Sequence, residues 1–500
     1  MKKIRFVRED LDLFSSASHD RNPLHLSDEY AMRTPYGGRV VFGILDGLTA
    51  LGLVADRPGW NLSRVEFEFF DIALLDVDYS VHMRESDPSA VTFQVMDGRR
   101  TVLDAVLGFR RANAMPPAQL GEAQPTLSEP VDLTGAQLTV GRRAAGKYAP
   151  SFPELERLCS HAHLNQSWLT RLQVAAMMWA SYLIGMELPG KRALFSRLQI
   201  EFEDSRQAVA PFDYEAEIKE VNQFGEVTIQ GTLVSSGTVW ARLSLAAHVR
   251  EDVPQATVSS VEKLVGRSPA MTGKVALVTG GSRGLGSCLV RGLALHGCTV
   301  VLNFLRSQSL SERLRDSLAG TPGQVVLERG DISSLEWCKE AEKRLAAQFG
   351  RLDFLICNAS PPLLPLWLEA SAAARVTDFV QASLAMVSSP MMAFLPLLAA
   401  EKGWNVMVSS VAAIQPHPHF PHYMVAKCAA EAMVRAAATE YRGISSLIVR
   451  PARLLTDLTN TPLGRKGALP PESVAAAILK RLLSAPCPGR VELLDQFYNC

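Results

Sequence analysis

Lys274-Val-Ala-Leu-Val-Thr-Gly-Gly-Ser-Arg-Gly-Leu-Gly286 runs from an apolar stretch directly into a glycine-rich turn. The stretch reads as a buried strand and the turn as the approach to a helix, because glycine allows the sharp bend between them. Backbone N–H groups at a helix start attract phosphate, and Gly280, Gly284 and Gly286 let a ligand come close to them. A strand before the loop and a helix after it are the context a dinucleotide pyrophosphate requires. Further on, strands at Thr299–Phe304, Gln324–Glu328 and Leu352–Cys357 are separated by helical periodicity, one helix spanning 335–349. Such alternation predicts an α/β, Rossmann-type, doubly wound parallel sheet.

A second constellation lies downstream. Tyr423 and Lys427, in Tyr-Met-Val-Ala-Lys, stand four residues apart and share one helical face. An ammonium there can lower the phenol's pKa and let it act as an acid near neutral pH. Ser410, thirteen residues before Tyr423, can hold the carbonyl being reduced from a neighbouring strand end. Loop and constellation together predict an oxidoreductase acting on a carbonyl or an alcohol.

At Thr279–Gly286, Asp331, Asn358-Ala359, Ser410, Tyr423 with Lys427, and Pro451 with Thr456, the chain resembles the short-chain dehydrogenase/reductase family. Within that family it is most similar to the beta-ketoacyl carrier-protein reductases, over residues 273–500. The resemblance implies that Tyr423 donates the proton, Lys427 lowers its pKa and binds the nicotinamide ribose, and Ser410 orients the carbonyl. It implies a cofactor site made by Thr279, Gly280, Ser282, Arg283, Gly284 and Gly286, with Asp331 at the adenine, Asn358 at its strand end, and Thr456. The second strand ends Asn303-Phe-Leu-Arg306, without the acidic residue that would bond a free ribose 2′-hydroxyl. Arg283 and Arg306 can pair with a 2′-phosphate instead, so NADPH is the expected cofactor.

Three positions depart from the family pattern: Ser383 where a relay Asn is common, Ser360 after Asn358-Ala359, and Ala452 after Pro451. His417, His419 and His422 read as substrate-loop residues, since prolines extend the segment and no Cys or carboxylate joins it; no metal is expected. Met391, Met392 and Phe394 read as core or dimer-face residues.

The remainder contains an internal repeat. Ser63-Arg-Val-Glu-Phe-Glu-Phe-Phe-Asp71 recurs as Ser196-Arg-Leu-Gln-Ile-Glu-Phe-Glu-Asp204. A long apolar helix-like stretch precedes each copy, Val40–Val54 and Leu172–Leu188, and alternating strand patterns follow. These are Val77–Arg84, Val91–Asp97 and Thr101–Arg110 in the first copy, and Tyr214–Val221, Glu226–Val234 and Thr238–Arg250 in the second. One helix wrapped by an antiparallel sheet, present twice, predicts an α+β double hot-dog. The expected layout is 1–111, a proline-rich linker at 112–150, 151–250, a polar linker at 251–272, and 273–500.

Asp20-Arg-Asn22-Pro-Leu-His25 precedes the first apolar stretch. A carboxylate and an imidazole separated by a Pro-fixed turn can converge on one water, which the addition of water to an enoyl thioester needs. The enolate oxygen needs N–H donors, for which Gly43 at a helix start is the candidate. These residues resemble the (R)-specific enoyl hydratases of the MaoC-like group, with Phe42 where a His often stands. The second repeat has no carboxylate at this spacing, so His161 and His163 read as structural.

Both resemblances handle the same 3-hydroxyacyl thioester. They imply a fused ketoreductase–dehydratase for polyketide or fatty-acyl assembly, acting on an acyl carrier protein or CoA thioester. Two other readings stay open: degradation by the reverse steps, against which the expected NADP preference argues, and a non-catalytic acyl-binding, dimerising hot-dog module beside an active reductase.

Composition narrows the partners. Fifty-one basic and 51 acidic residues leave no global field to recruit nucleic acid or an anionic membrane. The eight cysteines lack metal spacing, and Cys288, Cys298, Cys357 and Cys428 read as buried thiols of a reducing compartment. The basic start lacks the apolar stretch of a signal peptide, and the longest mostly apolar run, Val174–Met186, is too short to span a bilayer. A cytoplasmic homodimer without membrane contact is expected.

Overall fold

The computed structural model describes residues 2–111, 119–121, 128–203 and 209–495. Pro116, Pro117 and Pro125 of the expected linker, and Asp204 of the repeat, lie outside them. The chain divides into two units, Met1–Met32 with Gly38–Glu251, and Arg33–Gly37 with Asp252–Cys500.

The second unit is built on seven parallel strands. Their spatial order is Gln324–Arg329, Thr299–Phe304, Val275–Val278, Phe354–Cys357, Trp404–Val408, Ser445–Val449, Val491–Leu494. Alternate residues of these strands serve two separate cores. Ala276, Val278, Val300 and Ile356 pack beneath helices Gly284–Leu295 and Pro471–Leu482. Val275, Leu277, Val301 and Leu355 face helices Leu335–Phe349, Ala373–Ala400 and Pro421–Glu440. Burial on both faces is why the strands read as continuous apolar runs. The strand order reverses between Val275–Val278 and Phe354–Cys357, the crevice where open α/β sheets bind ligands.

Three details differ from the sequence reading. The segment 251–272 holds a helix, Val258–Val265, capped by Thr257 and anchored by buried Val261. Cys288, Cys298 and Cys357 are buried, but Cys428 is exposed, set on the helix between buried Ala426 and Ala430. Among the described residues, the helix whose length and composition could cross a bilayer is Ala370–Ala400 rather than Val174–Met186, and its Met391, Phe394 and Leu398 are spent in the sheet core. Met392 of that helix is exposed.

The first unit is built on a ten-stranded antiparallel sheet, with a separate short parallel pair, Gln119–Leu120 and Val209–Ala210. One half runs Lys2–Ile4, Tyr79–Asp87, Ala90–Asp97, Arg100–Arg111, Trp60–Phe69; the other continues Ala193–Phe202, Thr238–Val249, Glu226–Ser235, Phe212–Val221, Arg143–Tyr148. The repeated segments are the two central strands and pair with each other, Arg64 opposite Glu201 and Glu68 opposite Arg197. That register is what a two-fold relation between the repeats produces. Arg143–Tyr148, assigned to the linker by its neighbouring prolines, is an edge strand that pairs with Phe212–Val221.

Each half lays a helix on the sheet, Gly43–Leu51 in the first and Arg171–Tyr182 in the second. Every residue from Leu172 to Tyr182 is buried, which explains an apolar composition all round that helix. It continues as a π-helical turn, Leu183–Glu187. Side chains such as Leu48, Phe93, Met177 and Leu245 join in one core, each burial contributing about 1.5–3 kcal/mol.

Candidate active sites

In the second unit, the strand Val275–Val278 delivers the chain to Thr279, whose Oγ1 accepts from the N–H groups of Asn358 (2.9 Å) and Ala359 (3.0 Å). Asn358 Nδ2 returns bonds to the carbonyls of Thr279 and Gly280, each at 3.1 Å. These two residues tie together the strand ends that flank the reversal. Gly280 and Gly284 have φ of 62° and 52°, the left-handed region that favours glycine. At Gly286 a Cβ would fall 2.3 Å from the Gly280 carbonyl oxygen and 2.7 Å from Asn358 Nδ2. The loop is therefore a backbone-lined cradle at a helix N-terminus, which suits a pyrophosphate.

The other expected cofactor residues are placed around it with some already engaged. Arg283 pairs with Asp457 at 3.3 Å, a carboxyl raised by burial and opposed by that guanidinium. Sequence reading missed this competitor for the 2′-phosphate. Thr456, next to Asp457, has its Cγ2 3.2 Å from where a Cβ on Gly284 would stand. Asn303 is buried and spends its Nδ2 on the carbonyls of Glu328 (3.3 Å) and Gly330 (3.0 Å). Asp331 Oδ1 accepts from the N–H and Oγ of Ser333, and Arg306 follows the strand Thr299–Phe304.

Tyr423 and Lys427 lie in the helix Pro421–Glu440, and Ser410 caps the short turn after the strand Trp404–Val408. Lys427 Nζ donates to the Val408 carbonyl at 3.0 Å and stands 5.6 Å from the centre of the Tyr423 ring. Burial pushes Tyr423 above the ordinary phenol range, and the hydrogen bond with Ser410 pulls it back. Lys427 was expected to do the lowering; in the protein alone its own pKa is instead brought down to about 8 by burial. Glu431, one turn further along, opposes that fall and is itself held by Arg450 at 2.6 Å and by Ser409 at 2.7 Å. The i, i+4 spacing from Lys427 to Glu431 was a signal the sequence reading left unused.

The three histidines do not converge. His417 Nδ1 contacts the Pro418 carbonyl, the ring of His419 packs 4.6 Å from that of Trp367, and buried His422 stands edge-on to Phe379 at 4.5 Å. Ser383 lies in the helix Ala373–Ala400, and Ser360 Oγ bonds its neighbour's carbonyl at 3.2 Å.

In the first unit, Asp20, His25 and Gly43 line one cavity, which encloses about 590 Å³ with its open mouth included. Asp20 follows the helix Arg8–Ser18, whose end is turned by His19 at φ 61°. Asn22 caps the short helix Pro23–Leu26 by accepting from Leu24 N–H at 3.0 Å. Asp20 is 2% exposed, with Oδ1 accepting from Asn22 N–H (3.0 Å) and Oδ2 from Ser181 Oγ (2.7 Å). Burial outweighs both bonds and raises its pKa to about 7. His25 is pushed the other way, to about 4, so the imidazole is neutral. Its Nδ1 lies 2.8 Å from the Val40 carbonyl, which fixes the proton there and leaves Nε2 as the basic nitrogen. Phe42 stacks on this ring at 3.8 Å and holds its plane. Gly43 opens the helix Gly43–Leu51 on the cavity wall.

Ser181 and Gly185 were not singled out from sequence. Both belong to the second repeat, and a Cβ on Gly185 would fall 2.4 Å from Asp20 Oδ1. His161 binds Asp10 at 2.7 Å, across the same pair of repeats, in keeping with its structural reading.

A neutral base and an acid with a pKa near 7 on one cavity wall can exchange two protons with a single ligand. In the second unit, a phenol beside a hydroxyl and an ammonium can protonate a carbonyl oxygen.

Comparison with known proteins bears on the second unit. Residues 274–464 match the family model for short chain dehydrogenase. A 3-oxoacyl-[acyl-carrier-protein] reductase of Synechocystis sp. is 27% identical over 244 residues, which cover 46% of this chain and 96% of that protein. Oxidoreductase UcpA of Escherichia coli is 30% identical over 225 residues, 43% of this chain and 84% of the relative. Among solved structures, an alcohol dehydrogenase from the archaeon Thermococcus sibiricus, complexed with 5-hydroxy-NADP, is 27% identical with a TM-score of 0.41, covering 45% of this chain and 98% of that one. The parallel sheet with its reversed strand order and the sequence match over the same residues agree, and through them the chain belongs to the short chain dehydrogenase family of oxidoreductases.

Proposed function

We propose that the chain reduces a 3-ketoacyl thioester with NADPH in its second unit and removes water from the resulting 3-hydroxyacyl thioester in its first, a double hot-dog. The observation that carries the second half is the single cavity bearing Asp20, His25 and Gly43. The first half rests on family membership, and the 3-oxoacyl-[acyl-carrier-protein] reductase among the relatives favours a thioester on a carrier protein.

The residues fit a dinucleotide. The glycine turn packs tightly enough that a Cβ on Gly286 would meet the Gly280 carbonyl, and it leads into a helix N-terminus whose N–H groups suit a pyrophosphate, while no acidic side chain among Asn303-Phe-Leu-Arg306 would repel a 2′-phosphate. Arg306, and Arg283 in competition with Asp457, are the cations that would hold it. A bound dihydronicotinamide supplies the hydride. The protein's own part is to hold the carbonyl oxygen against the Ser410 and Tyr423 hydroxyls. Tyr423, kept protonated by its raised pKa, gives its proton to that oxygen as the alcohol forms. Lys427 then supports the phenolate with its charge.

In the first unit, neutral His25 Nε2 takes the proton from the carbon next to the thioester. The electron pair left behind forms the new double bond as the 3-hydroxyl departs, and the Asp20 carboxyl protonates it, so that water leaves. Charge that develops on the thioester oxygen faces the Gly43 N–H at the positive end of its helix.

Mass spectrometry of 3-ketoacyl carrier-protein and CoA thioesters incubated with NADPH tests both steps. The expected product is the enoyl thioester, and Asp20→Asn is expected to stop at the 3-hydroxy stage. A gain of two hydrogens with no later loss of water in the wild type overturns the dehydratase, and no change at all overturns both.

A further inference from the structure

The cavity of the first unit contains a carboxyl that the proposed dehydration does not use. Asp46 lies three residues beyond Gly43 on the same helix, lines the same cavity, and is 1% exposed. The cavity's other polar groups have protein partners. Asp20 is bonded by Ser181 and Asn22, His25 contacts the Val40 carbonyl, and Asp71 pairs with Arg100 at 2.9 Å. Among the described residues that line the cavity, Asp46 Oδ1 is the buried polar atom without a hydrogen-bond partner. No ion pair among the described residues offsets its burial, and desolvation raises its pKa to about 7. Near neutral pH it can therefore be a carboxylic acid, able to donate a hydrogen bond and to accept one. A core position on an apolar helix, among Ile44, Leu45 and Leu48, would be filled at less cost by leucine. A ligand that completes the hydrogen bond would account for its presence.

We infer that Asp46 is a specificity residue that recognises a hydroxyl or carbonyl oxygen along the acyl chain, so that the preferred dehydration substrate is an oxygenated acyl thioester and not a plain alkyl one. This rests on the dehydratase reading. Three residues along a helix rise about 4.5 Å. With the thioester oxygen at Gly43, an extended chain covers that distance in about four C–C bonds of ~1.5 Å. The recognised oxygen then sits on about the fifth carbon, one two-carbon unit beyond the 3-hydroxyl. Ile72, Ala73, Ile184, Phe69 and Phe195 supply the apolar wall for the carbons between.

The test compares 3,5-dihydroxyhexanoyl- with 3-hydroxyhexanoyl-pantetheine in dehydration. It also compares the binding of 5-hydroxyhexanoyl- and hexanoyl-pantetheine, which have no 3-hydroxyl to lose. Wild type is expected to favour the oxygenated partner of each pair by at least about tenfold, the worth of one hydrogen bond to a buried acid. Asp46→Leu is expected to remove the preference while it keeps or improves the plain chain, and Asp46→Asn to restore part of it. Equal treatment of both chains by wild type overturns the inference, as does an equal loss on both in the leucine variant. A binding preference without any turnover overturns the dehydratase reading but supports the oxygen-recognition site. Turnover without preference does the reverse.

Discussion

Replacing Gly185 by alanine tests the first site with one methyl group. The new Cβ would lie 2.4 Å from Asp20 Oδ1 and 2.6 Å from Oδ2, where ordinary contact begins at about 3.5 Å. The carboxylate must retreat by about 1 Å. It cannot do so freely, because Ser181 Oγ holds one oxygen at 2.7 Å and Asn22 N–H the other at 3.0 Å. Such a shift stretches at least one of those bonds beyond useful length. Alanine is the better helix former by about 1 kcal/mol, which offsets part of an over-packing cost of about 1–3 kcal/mol, so the unit should still fold. A catalytic group displaced by ~1 Å typically loses about 10²-fold in rate. Gly185→Ala should therefore lower kcat/KM for dehydration by about 10²-fold, with ketoreduction changed less than about twofold because Gly185 belongs to the first unit and Ser410, Tyr423 and Lys427 to the second. Absorbance of the enoyl thioester and of NADPH reads the two reactions separately. Dehydration at the wild-type rate would mean that the Asp20 carboxylate does not carry the chemistry, and the loss of both activities would place the damage in folding.

Three further outcomes are expected. Tyr423→Phe removes the proposed proton donor and should lower ketoreduction by about 10²–10⁴-fold while dehydration of supplied 3-hydroxyacyl thioester continues; retention of most ketoreduction would exclude the role. Lys427, with its pKa brought down to about 8, should give ketoreduction a kcat/KM that falls as pH rises through that value, and a profile flat to about pH 10 would show that its charge is not needed. Asp46 has a folded-state pKa of about 7 against an ordinary 3.8. The folded protein thus keeps a proton that the unfolded chain releases between those values, and stability falls as pH rises through the window. Asp46→Asn should escape this loss and gain on wild type by up to about 4 kcal/mol between about pH 4 and pH 8 in urea unfolding, whereas parallel curves would refute it.

The second unit was legible because its signals are local. The strand Val275–Val278, the loop and the helix from Gly284 are contiguous, and alternate strand residues feed two apolar layers, so composition alone announces burial. The boundaries that moved did so where tertiary pairing overrides local composition. Arg143–Tyr148 looks like linker beside its prolines yet is hydrogen-bonded as a sheet edge, and Val258–Val265 is anchored by buried Val261 with Val258 and Val265 packed at the margin of the same core. The Tyr423–Lys427 pair was visible in its spacing, but its electrostatics were not. Whether Lys427 lowers the phenol's pKa depends on where its Nζ points, and here it points at the Val408 carbonyl.

The first unit shows why a site that draws on both copies of a repeat is read only in part from sequence. The second copy has no counterpart of Asp20 and His25, so by local pattern it is the idle half. Yet Ser181, 161 residues from Asp20, donates to its carboxylate, and Gly185 leaves the space in which that carboxylate sits. Pairing of the two central strands brings the helices of both halves to one sheet, and a helix rich in Ala and Met with one serine gives no local hint of its partner. The arrangement also constrains what each half can lose. A second copy that had kept its own carboxylate would place another charge in a core where burial already raises the Asp20 pKa to about 7 against two hydrogen bonds that lower it. Dividing the work, with the acid on one repeat and its hydrogen bond and its room on the other, leaves one carboxyl to desolvate instead of two. On this reasoning Ser181→Ala should raise the Asp20 pKa further, since it removes a bond that lowers it, and should move the alkaline limb of the dehydration profile, where the proton donor is lost, to higher pH. A limb that stays in place would mean that the second repeat shapes the cavity without tuning the acid.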